Sequence, residues 1–170
     1  AALRSGAGLV SVITRSAHRP ALLARRPEVM VLGTEDGNTH IDDLISRATT
    51  IVIGPGLGRG SWARCLMQKA LSTQISMDKP LVIDADALHL LAEKREQGTA
   101  EKGTEIRRYN WILTPHPGEA AALLNCSIGE IQVDRYAAVR QLHDIWGGVC
   151  LLKGSGSLIC TAEKSQQKLF

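Results

Sequence analysis

Four short polar segments contain the residues that could do chemistry, and each of them follows an apolar run. They read G-P-G-L-G from Gly54, D-A-D-A from Asp84, T-P-H-P-G-E from Thr114 and K-G-S-G-S from Lys153. Glycine-rich turns bring backbone N–H groups close to an anion, a carboxylate can hold a metal or a ribose, and a lysine beside hydroxyls suits a phosphate. Together these residue types favour the binding of an anionic or polar small molecule.

His116 lies between two prolines, Pro115 and Pro117. Each proline fixes its own φ and disfavours α geometry in the residue before it, so Thr114 and His116 are both steered toward extended backbone. The imidazole is therefore held in place. A single histidine is more often structural than catalytic, and only its position among the other loops can decide between the two roles.

A purely structural interpretation exists for each of the other segments. The glycine-rich segment could be a tight turn with positive φ, although four glycines among the seven residues from Gly54 to Gly60 exceed what one turn needs. Asp86 could cap the helix that follows it. The segment from Lys153 to Ser157 could be a hairpin turn, which needs only its glycines. Each segment taken alone leaves both interpretations open.

The pattern of apolar runs predicts the elements that position these segments. We expect strands at 9–14, 28–32, 50–53, 81–83, 111–114, 149–152 and 158–161. Helical patterns separate most of them, including one that opens with an S-x-x-E capping box at Ser127 and continues to Gly147. Alternating apolar strands and helices are typical of an α/β fold, with a mostly parallel central sheet and helices on both faces in three Rossmann-like layers.

The carboxyl ends of parallel strands share one edge of a sheet, which is where ligands bind in open α/β proteins. The four polar segments, which are about thirty residues apart in sequence, therefore converge on one crevice in this fold. This convergence favours a functional interpretation of His116 over a structural one.

The composition excludes several classes of protein. The chain has 170 residues, enough for one domain, and a formal net charge of +3. Its basic residues form no dense run, and only one Phe and two Tyr could stack on bases, so we expect no nucleic-acid partner. No apolar run is long enough to cross a bilayer and no signal peptide is present, which favours a cytoplasmic location without membrane contact. The cysteines have no metal-ligand spacing and predict buried thiols in a reducing compartment: Cys65, Cys126, Cys150 and Cys160.

These four segments in this order, together with A-L-R-S-G-A-G-L-V at the start, resemble the carboxyl-terminal domain of the YjeF family. That domain is ribokinase-like and is identified as the ADP- or ATP-dependent NAD(P)H-hydrate dehydratase. The resemblance covers essentially all of residues 1–170 and implies one ribokinase-like domain. It also implies a repair reaction, in which a nucleotide phosphorylates the hydroxyl of the hydrated nicotinamide ring and elimination of phosphate restores NADH or NADPH.

The resemblance assigns roles to individual residues. Gly56 and Gly58 would approach the hydrate, NADHX or NADPHX, and His116 would hydrogen-bond it. The phosphates of ADP or ATP would be held by the whole K-G-S-G-S segment: Lys153, Gly154, Ser155, Gly156 and Ser157. Mg²⁺ would accompany the nucleotide, and our own inference places Asp84 near that metal. We expect a homo-oligomer, with an NAD(P)HX epimerase either fused to the domain or separate.

The family pattern also has segments that this chain lacks. Its G-G-x-G-D segment, which contains the catalytic Asp, would lie beyond Phe170, and a glycine-rich segment would precede Ala1. We therefore interpret the chain as an incomplete domain, truncated at both ends and without a catalytic base, and we expect residues 1–170 alone to be inactive. Two alternatives stay open: a ribokinase-like kinase that acts on a small alcohol, and a non-catalytic fragment that binds nucleotide.

Overall fold

The computed structural model describes residues 2–37, 41–96, 110–162 and 167–169. The chain forms two compact units, Ala1–Ala48 and Thr49–Phe170. Among the described helices, none combines the length and the apolar character needed to cross a membrane. All four polar segments belong to the second unit, so that unit contains the candidate site.

The first unit is built on a pair of parallel strands. Its elements are a 3₁₀ turn at Ala2–Ser5, β1 at Ser11–Thr14, a 3₁₀ turn at Ser16–His18, α1 at Arg19–Arg25, β2 at Met30–Gly33 and α2 at Asp42–Arg47. β1 and β2 pair from Ser11 opposite Met30 to Thr14 opposite Gly33. Gly33 packs so closely on Ser16 that an added Cβ would lie 2.8 Å from the Ser16 Cα, which explains the glycine at the end of β2.

The second unit is a mixed sheet with helices between its parallel strands. Its strands are β3 at Ile51–Ile53, β4 at Leu81–Ile83, β5 at Trp111–Leu113, β6 at Val149–Leu152, β7 at Leu158–Ala162 and β8 at Gln167–Leu169. Its helices are α3 at Ser61–Met77, α4 at Asp86–Glu96, α5 at Pro117–Leu124, α6 at Ile128–Val133 and α7 at Arg135–Trp146. In the described part of the chain the strands lie in the order β3-β4-β5-β6-β7-β8. β3 to β6 are parallel, whereas β7 is antiparallel to both of its neighbours.

Burial alternates along the parallel strands and locates the core. Ile53, Ile83 and Leu113 lie side by side in register and are buried. Val52 and Ile112 point to the opposite face and are 65% and 39% exposed. Right-handed crossovers between strands taken in sequence order place the connecting helices on one face. Within this unit, the helices between β3 and β6 therefore cover the face on which Ile83 lies.

The mostly parallel α/β sheet predicted from the apolar runs is confirmed, and so is the hairpin formed by β6 and β7. The strand β8 is absent from the sequence prediction. The single helix predicted from Ser127 to Gly147 is wrong, because Asp134 leaves helical geometry with φ −143° and ψ 89°. The Asp134 side chain accepts a hydrogen bond from the Ala137 N–H at 2.9 Å and so begins a new helix, α7. The single domain over residues 1–170 stays a prediction.

The four cysteines are all free thiols, and they differ in burial. Cys150 and Cys160 face each other across β6 and β7 and are fully buried. Burial, with a smaller contribution from Cys160, raises the pKa of the Cys150 thiol to about 12. Cys65 and Cys126 are half-buried. The predicted burial is therefore confirmed for the two thiols in the sheet and only partly for the other two.

Candidate active site at the carboxyl edge of the sheet

Each candidate segment begins where one of the adjacent parallel strands ends. The glycine loop (residues 54–60) follows β3, residues 84–85 follow β4, the histidine loop (residues 114–116) follows β5 and the lysine loop (residues 153–157) follows β6. Because these strands are parallel and adjacent, the four segments lie along the same edge of the sheet. The convergence predicted from the sequence is present in the structure.

A close backbone contact holds the glycine loop against residues 84–85. At Gly54, φ is +131° and an added Cβ would lie 1.6 Å from the carbonyl oxygen of Asp84, so this position requires glycine. The Gly58 N–H donates to Asp86 Oδ2 at 2.8 Å. The interpretation of Asp86 as a helix cap missed this bond, through which the first residue of α4 holds the glycine loop.

Gly56 and Gly58 have positive φ angles of 70° and 74°. Apart from each glycine itself and its two chain neighbours, no atom of the described residues lies within 4 Å of the position that a Cβ would take at either of them. The turn therefore needs glycine for its backbone conformation, and the space beside it is open to a ligand. The predicted contact of these two glycines with the hydrate stays a prediction.

The structure gives His116 a capping role. Its backbone is extended, with φ −78° and ψ 170°, and its Nδ1 accepts hydrogen bonds from the N–H groups of Gly118 at 3.0 Å and Glu119 at 3.2 Å. The Glu119 carboxylate accepts the His116 N–H in return, at 2.8 Å. This reciprocal pair is a capping box in which histidine replaces the usual Ser or Thr. The ring is therefore held by the helix that it caps as well as by its prolines.

The cap also determines the tautomer of the neutral imidazole. Because Nδ1 accepts hydrogen bonds, the proton of the neutral ring resides on Nε2. Nε2 lies 3.3 Å from Oε1 of Glu119, and the His116 side chain is 54% exposed. The loop thus presents one oriented N–H donor, while the only basic lone pair of the ring is used in the cap. This arrangement suits a residue that binds a substrate better than a catalytic base.

Glu119 connects the histidine loop to the lysine loop. Its side chain is only 6% exposed although it carries a carboxylate. Its Oε2 accepts the His116 N–H and lies 3.7 Å from Nζ of Lys153. A buried polar group needs such partners, because burial without hydrogen bonds costs free energy. This connection was not predicted from the sequence. The available indication of it was a glutamate in the first turn of a predicted helix.

Lys153 pairs with Asp84 across the intervening strand β5. Its Nζ lies 2.6 Å from Asp84 Oδ1, and its backbone N–H donates to the Pro115 carbonyl at 2.8 Å. Burial alone would raise the pKa of Asp84, but hydrogen bonds from the Lys153 ammonium and the Ala85 N–H outweigh it and hold this pKa below its ordinary value. Asp84 is therefore ionised at neutral pH and keeps the ammonium at the edge of the sheet.

The rest of the lysine loop is exposed. Its glycines and serines all lie at the surface: Gly154, Ser155, Gly156 and Ser157. Gly156 has a φ of +99°, a conformation that favours glycine. The hydroxyl and N–H groups of the lysine loop therefore belong to exposed residues that follow Lys153 in the chain. Their predicted contact with phosphates stays a prediction.

Sequence reasoning missed Arg135, which lies against the lysine loop. It is the first residue of α7, and its Nη2 donates to the Gly156 carbonyl at 2.9 Å. An added Cβ at Gly154 would lie 2.5 Å from the same nitrogen. A cation in the first turn of a helix opposes the helix dipole. This unfavourable position could not be recognised from the sequence, because one continuous helix was predicted through Asp134 and placed Arg135 in its interior.

The predicted metal residue, Asp84, is engaged by a lysine. Among the described residues, no group of three or more His, Cys, Asp or Glu side chains could hold a metal ion. Asp84 and Glu119 both face the Lys153 ammonium, which takes the place of a cation beside them. The described residues therefore do not fit an all-protein Mg²⁺ site, and they fit only an ion that gains further ligands from phosphate oxygens.

Comparison with known proteins identifies relatives of this chain. Residues 1–169 match the family model described as NAD(P)H-hydrate dehydratase. The bifunctional NAD(P)H-hydrate repair enzyme of Coxiella burnetii is 46% identical over 162 residues, which cover 94% of this chain and 30% of that protein. The chain therefore spans less than a third of that relative's length.

Solved structures are also similar to this chain. A ribokinase-like superfamily protein from Enterococcus faecalis has a TM-score of 0.78 and 30% identity, with 97% of this chain and 54% of that chain covered. An ADP/ATP-dependent NAD(P)H-hydrate dehydratase from Bacillus subtilis, co-crystallized with ATP and Mg²⁺, has a TM-score of 0.69 and 25% identity, with 99% and 55% covered. Since the family model matches almost its whole length, this ribokinase-like chain belongs to the NAD(P)H-hydrate dehydratase family.

Proposed function

We propose that this chain contributes the substrate and nucleotide sites of an ADP- or ATP-dependent NAD(P)H-hydrate dehydratase, a lyase that repairs NADHX and NADPHX. The observation that carries the proposal is that an oriented N–H donor, on His116, lies near an oriented ammonium, on Lys153. His116 Nε2 and Lys153 Nζ lie 3.3 and 3.7 Å from the same buried carboxylate, Glu119. The donor suits the polar groups of the hydrate, and the ammonium suits the phosphates of a nucleotide.

In the proposed reaction, the terminal phosphoryl group of the nucleotide passes to the hydroxyl of the hydrated nicotinamide ring. Phosphate then leaves and a ring proton is lost, which restores the double bond of NAD(P)H. Phosphoryl transfer depends mainly on positioning and on neutralising charge. Lys153 and the lysine-loop N–H groups would supply both, while Gly56 and Gly58 leave room for the hydrate beside the glycine loop.

The proposed cofactors are ADP or ATP together with Mg²⁺. The Bacillus subtilis relative is described as ADP/ATP-dependent and was crystallized with ATP and Mg²⁺, which supports carrying both to this chain. Bound Mg²⁺ supplies further positive charge at the phosphates. We propose Asp84 as the carboxylate that faces this ion, and in that state its pairing with Lys153 would be shared with the metal.

The catalytic base is proposed to lie outside residues 1–170. The carboxylates of the four segments already accept hydrogen bonds: Asp84 from Lys153, Asp86 from Gly58 and Glu119 from His116. The Nδ1 lone pair of His116 is used in the helix cap. Because these groups are engaged, we assign the proton of the ring hydroxyl to an Asp in the G-G-x-G-D segment of the family.

Two proposals concern partners. The Coxiella burnetii relative is named as bifunctional, which supports an NAD(P)HX epimerase acting together with this domain. A homo-oligomer is also proposed. Light scattering at several protein concentrations measures the mass in solution, and a monomer at every concentration would contradict the homo-oligomer.

Product analysis tests the proposed reaction. With NADHX and ADP, a longer protein that contains residues 1–170 together with the proposed base should regenerate the near-ultraviolet absorbance of NADH. A kinase would instead accumulate a phosphorylated product without that absorbance, and a non-catalytic binder would show only an ADP-dependent rise in Tm. A chain that ends at Phe170 should show no turnover, and measurable turnover by that chain would contradict the assignment of the base.

A further inference from the structure

We propose that Arg135 is a positioning residue, which directs N–H groups of the lysine loop toward a bound phosphate. The proposal rests on the proposed function, because it takes the lysine loop as the nucleotide site. Arg135 is not proposed to touch the nucleotide or the hydrate. It acts through the backbone of the loop, and its role is therefore separate from that of Lys153.

The Arg135 guanidinium contacts carbonyl groups at both ends of the lysine loop. Its Nη2 lies 2.9 Å from the carbonyl oxygen of Gly156 and 3.5 Å from those of Leu152 and Lys153. The first contact is a good hydrogen bond, and the other two are at the limit of one. A single cation therefore draws these carbonyl oxygens to one side of the loop.

The direction of these carbonyls determines the direction of the neighbouring N–H groups. In a planar trans peptide, the C=O of one residue and the N–H of the next point in opposite directions. The Leu152 carbonyl faces Arg135, and the Lys153 N–H accordingly points away and donates to the histidine loop at 2.8 Å. By the same geometry, the N–H groups of Gly154 and Ser157 point away from Arg135.

These two N–H groups are available to a ligand. Within the described ranges of the chain, neither the Gly154 nor the Ser157 N–H has a hydrogen-bond partner. Both residues are exposed, and both flank the central Ser-Gly pair of the loop. Backbone N–H groups beside a lysine are typical of phosphate sites. The contacts of Arg135 thus direct these donors to the side of the loop opposite the guanidinium.

Arg135 has features that a solvated surface cation does not need. The Nε of Arg135 is buried and has no hydrogen-bond partner among the described residues. Burial of this nitrogen without a partner costs free energy, which a solvated side chain would not lose. An added Cβ at Gly154 would lie 2.5 Å from Nη2, so the guanidinium packs directly on the backbone. All three contacts are made by Nη2, at the far end of the guanidinium. A lysine ammonium lies one bond closer to the backbone than Nη2 does, so lysine at this position would not reach the same carbonyls.

The test compares Arg135→Gln and Arg135→Lys with Arg140→Gln, a control at an exposed position of the same helix. Calorimetry measures the Kd for ADP at a temperature where all variants are folded, and the Tm is measured without ADP. We expect both Arg135 variants to raise the Kd about tenfold, the effect of losing one hydrogen bond to a charged group. Arg140→Gln should leave the Kd unchanged. A role confined to folding would lower the Tm and leave the Kd as in the wild type.

Gly154→Ala provides a second variant, because its Cβ displaces the guanidinium while Arg135 itself is retained. It should also raise the Kd for ADP about tenfold. The inference would be overturned if Arg135→Gln and Gly154→Ala bound ADP with the Kd of the wild type, or if Arg135→Lys did so. Either result would leave the proposed function standing. A wild-type protein that binds no ADP would overturn the proposed function, and this inference with it.

Discussion

The histidine loop and the lysine loop follow adjacent strands, but they are held by different kinds of contact. His116 is fixed by bonds to Gly118 and Glu119, which lie two and three residues further along the chain. Lys153 is fixed by Asp84, 69 residues away, and its loop is held by Arg135, 21 residues from Gly156. The His116 side chain is therefore held by its own sequence neighbours, whereas Lys153 and its loop are held by residues that the assembled sheet brings close.

Because the two loops are held by different contacts, we expect substitutions in them to have different effects. The His116 side chain caps α5 and presents its Nε2 donor, so changes to His116 should affect the free energy of unfolding and the binding of the hydrate, and leave the binding of ADP unchanged. A loop held by distant charges keeps its donors directed at the site, so changes there should act mainly on ligand binding. Glu119, in α5, contacts both loops, because it completes the capping box with His116 and faces Lys153.

Replacing Lys153 should have the largest effect. Lys153→Met keeps most of the length of the side chain and removes the ammonium. We expect the Kd for ADP to rise about 100-fold, since a hydrogen bond between charged groups contributes up to about 3 kcal/mol. Lys79→Met, which lies before the amino end of β4, is the matched control and should bind ADP as the wild type does. An unchanged Kd in Lys153→Met, measured by calorimetry, would break the comparison between the loops.

Replacing Glu119 should have the next largest effect, on stability. Glu119→Ala removes the acceptor of the His116 N–H and a carboxylate that faces Lys153, and we expect it to lower the free energy of unfolding by about 2 kcal/mol. Glu119→Gln keeps a capping acceptor and loses only the charge, so about 1 kcal/mol should be lost. Urea unfolding measures both variants. Equal losses would show that the charge facing Lys153, and not the cap, is what stabilises this position.

His116 variants should separate the cap from the binding site. His116→Ala should cost about 1 kcal/mol of stability, which is typical for the loss of a helix cap. His116→Asn keeps a capping oxygen and should retain most of that stability. Both variants lack the Nε2 donor, so we expect weaker binding of the hydrate and a wild-type Kd for ADP. An ADP Kd raised as far as in Lys153→Met would mean that the two loops do not act separately.

The smallest effect is expected from the thiols in the strands that carry the lysine loop. Burial and the neighbouring Cys160 raise the pKa of Cys150 to about 12. At pH 8 only about one such thiol in ten thousand is ionised, and the thiolate is the form that reacts. Alkylation followed by peptide mapping should therefore leave Cys150 unmodified in the folded protein and modify it fully in urea. Rapid labelling of the folded protein would show that the β6–β7 support of the lysine loop opens.

Much of the fold could be predicted from the sequence, because buried parallel strands are short apolar runs. The bounds predicted for Leu81–Ile83 and Val149–Leu152 are those of β4 and β6. The strand Gln167–Leu169 could not be predicted, since two of its three residues are polar and the strand is defined by its backbone pairing with β7. The break at Asp134 was missed because apolar residues recur at helical spacing on both sides of it.

The candidate site was only partly predictable. The convergence of the four segments followed from the expectation of a parallel sheet. The capping box at His116 has the expected spacing, but it was not predicted because histidine is not among the residues that usually cap helices. The ligand contact of His116 was favoured by the convergence of the loops and stays a prediction. Nothing in the sequence around Lys153 or Asp84 identifies either residue as the partner of the other, and the contact of Arg135 with the lysine loop was equally invisible.

By itself, the sequence determined where the chain turns and what each turn offers: glycines at positive φ, a histidine between two prolines and a lysine among glycines. Only the tertiary structure decided which of these groups meet. Asp84, Glu119 and Lys153 come together through the order and register of β4, β5 and β6. The physical reason is the separation in sequence between the residues that interact. A cap or a turn depends on residues a few positions apart, whereas a charge pair between loops exists only after the strands have assembled around a common core.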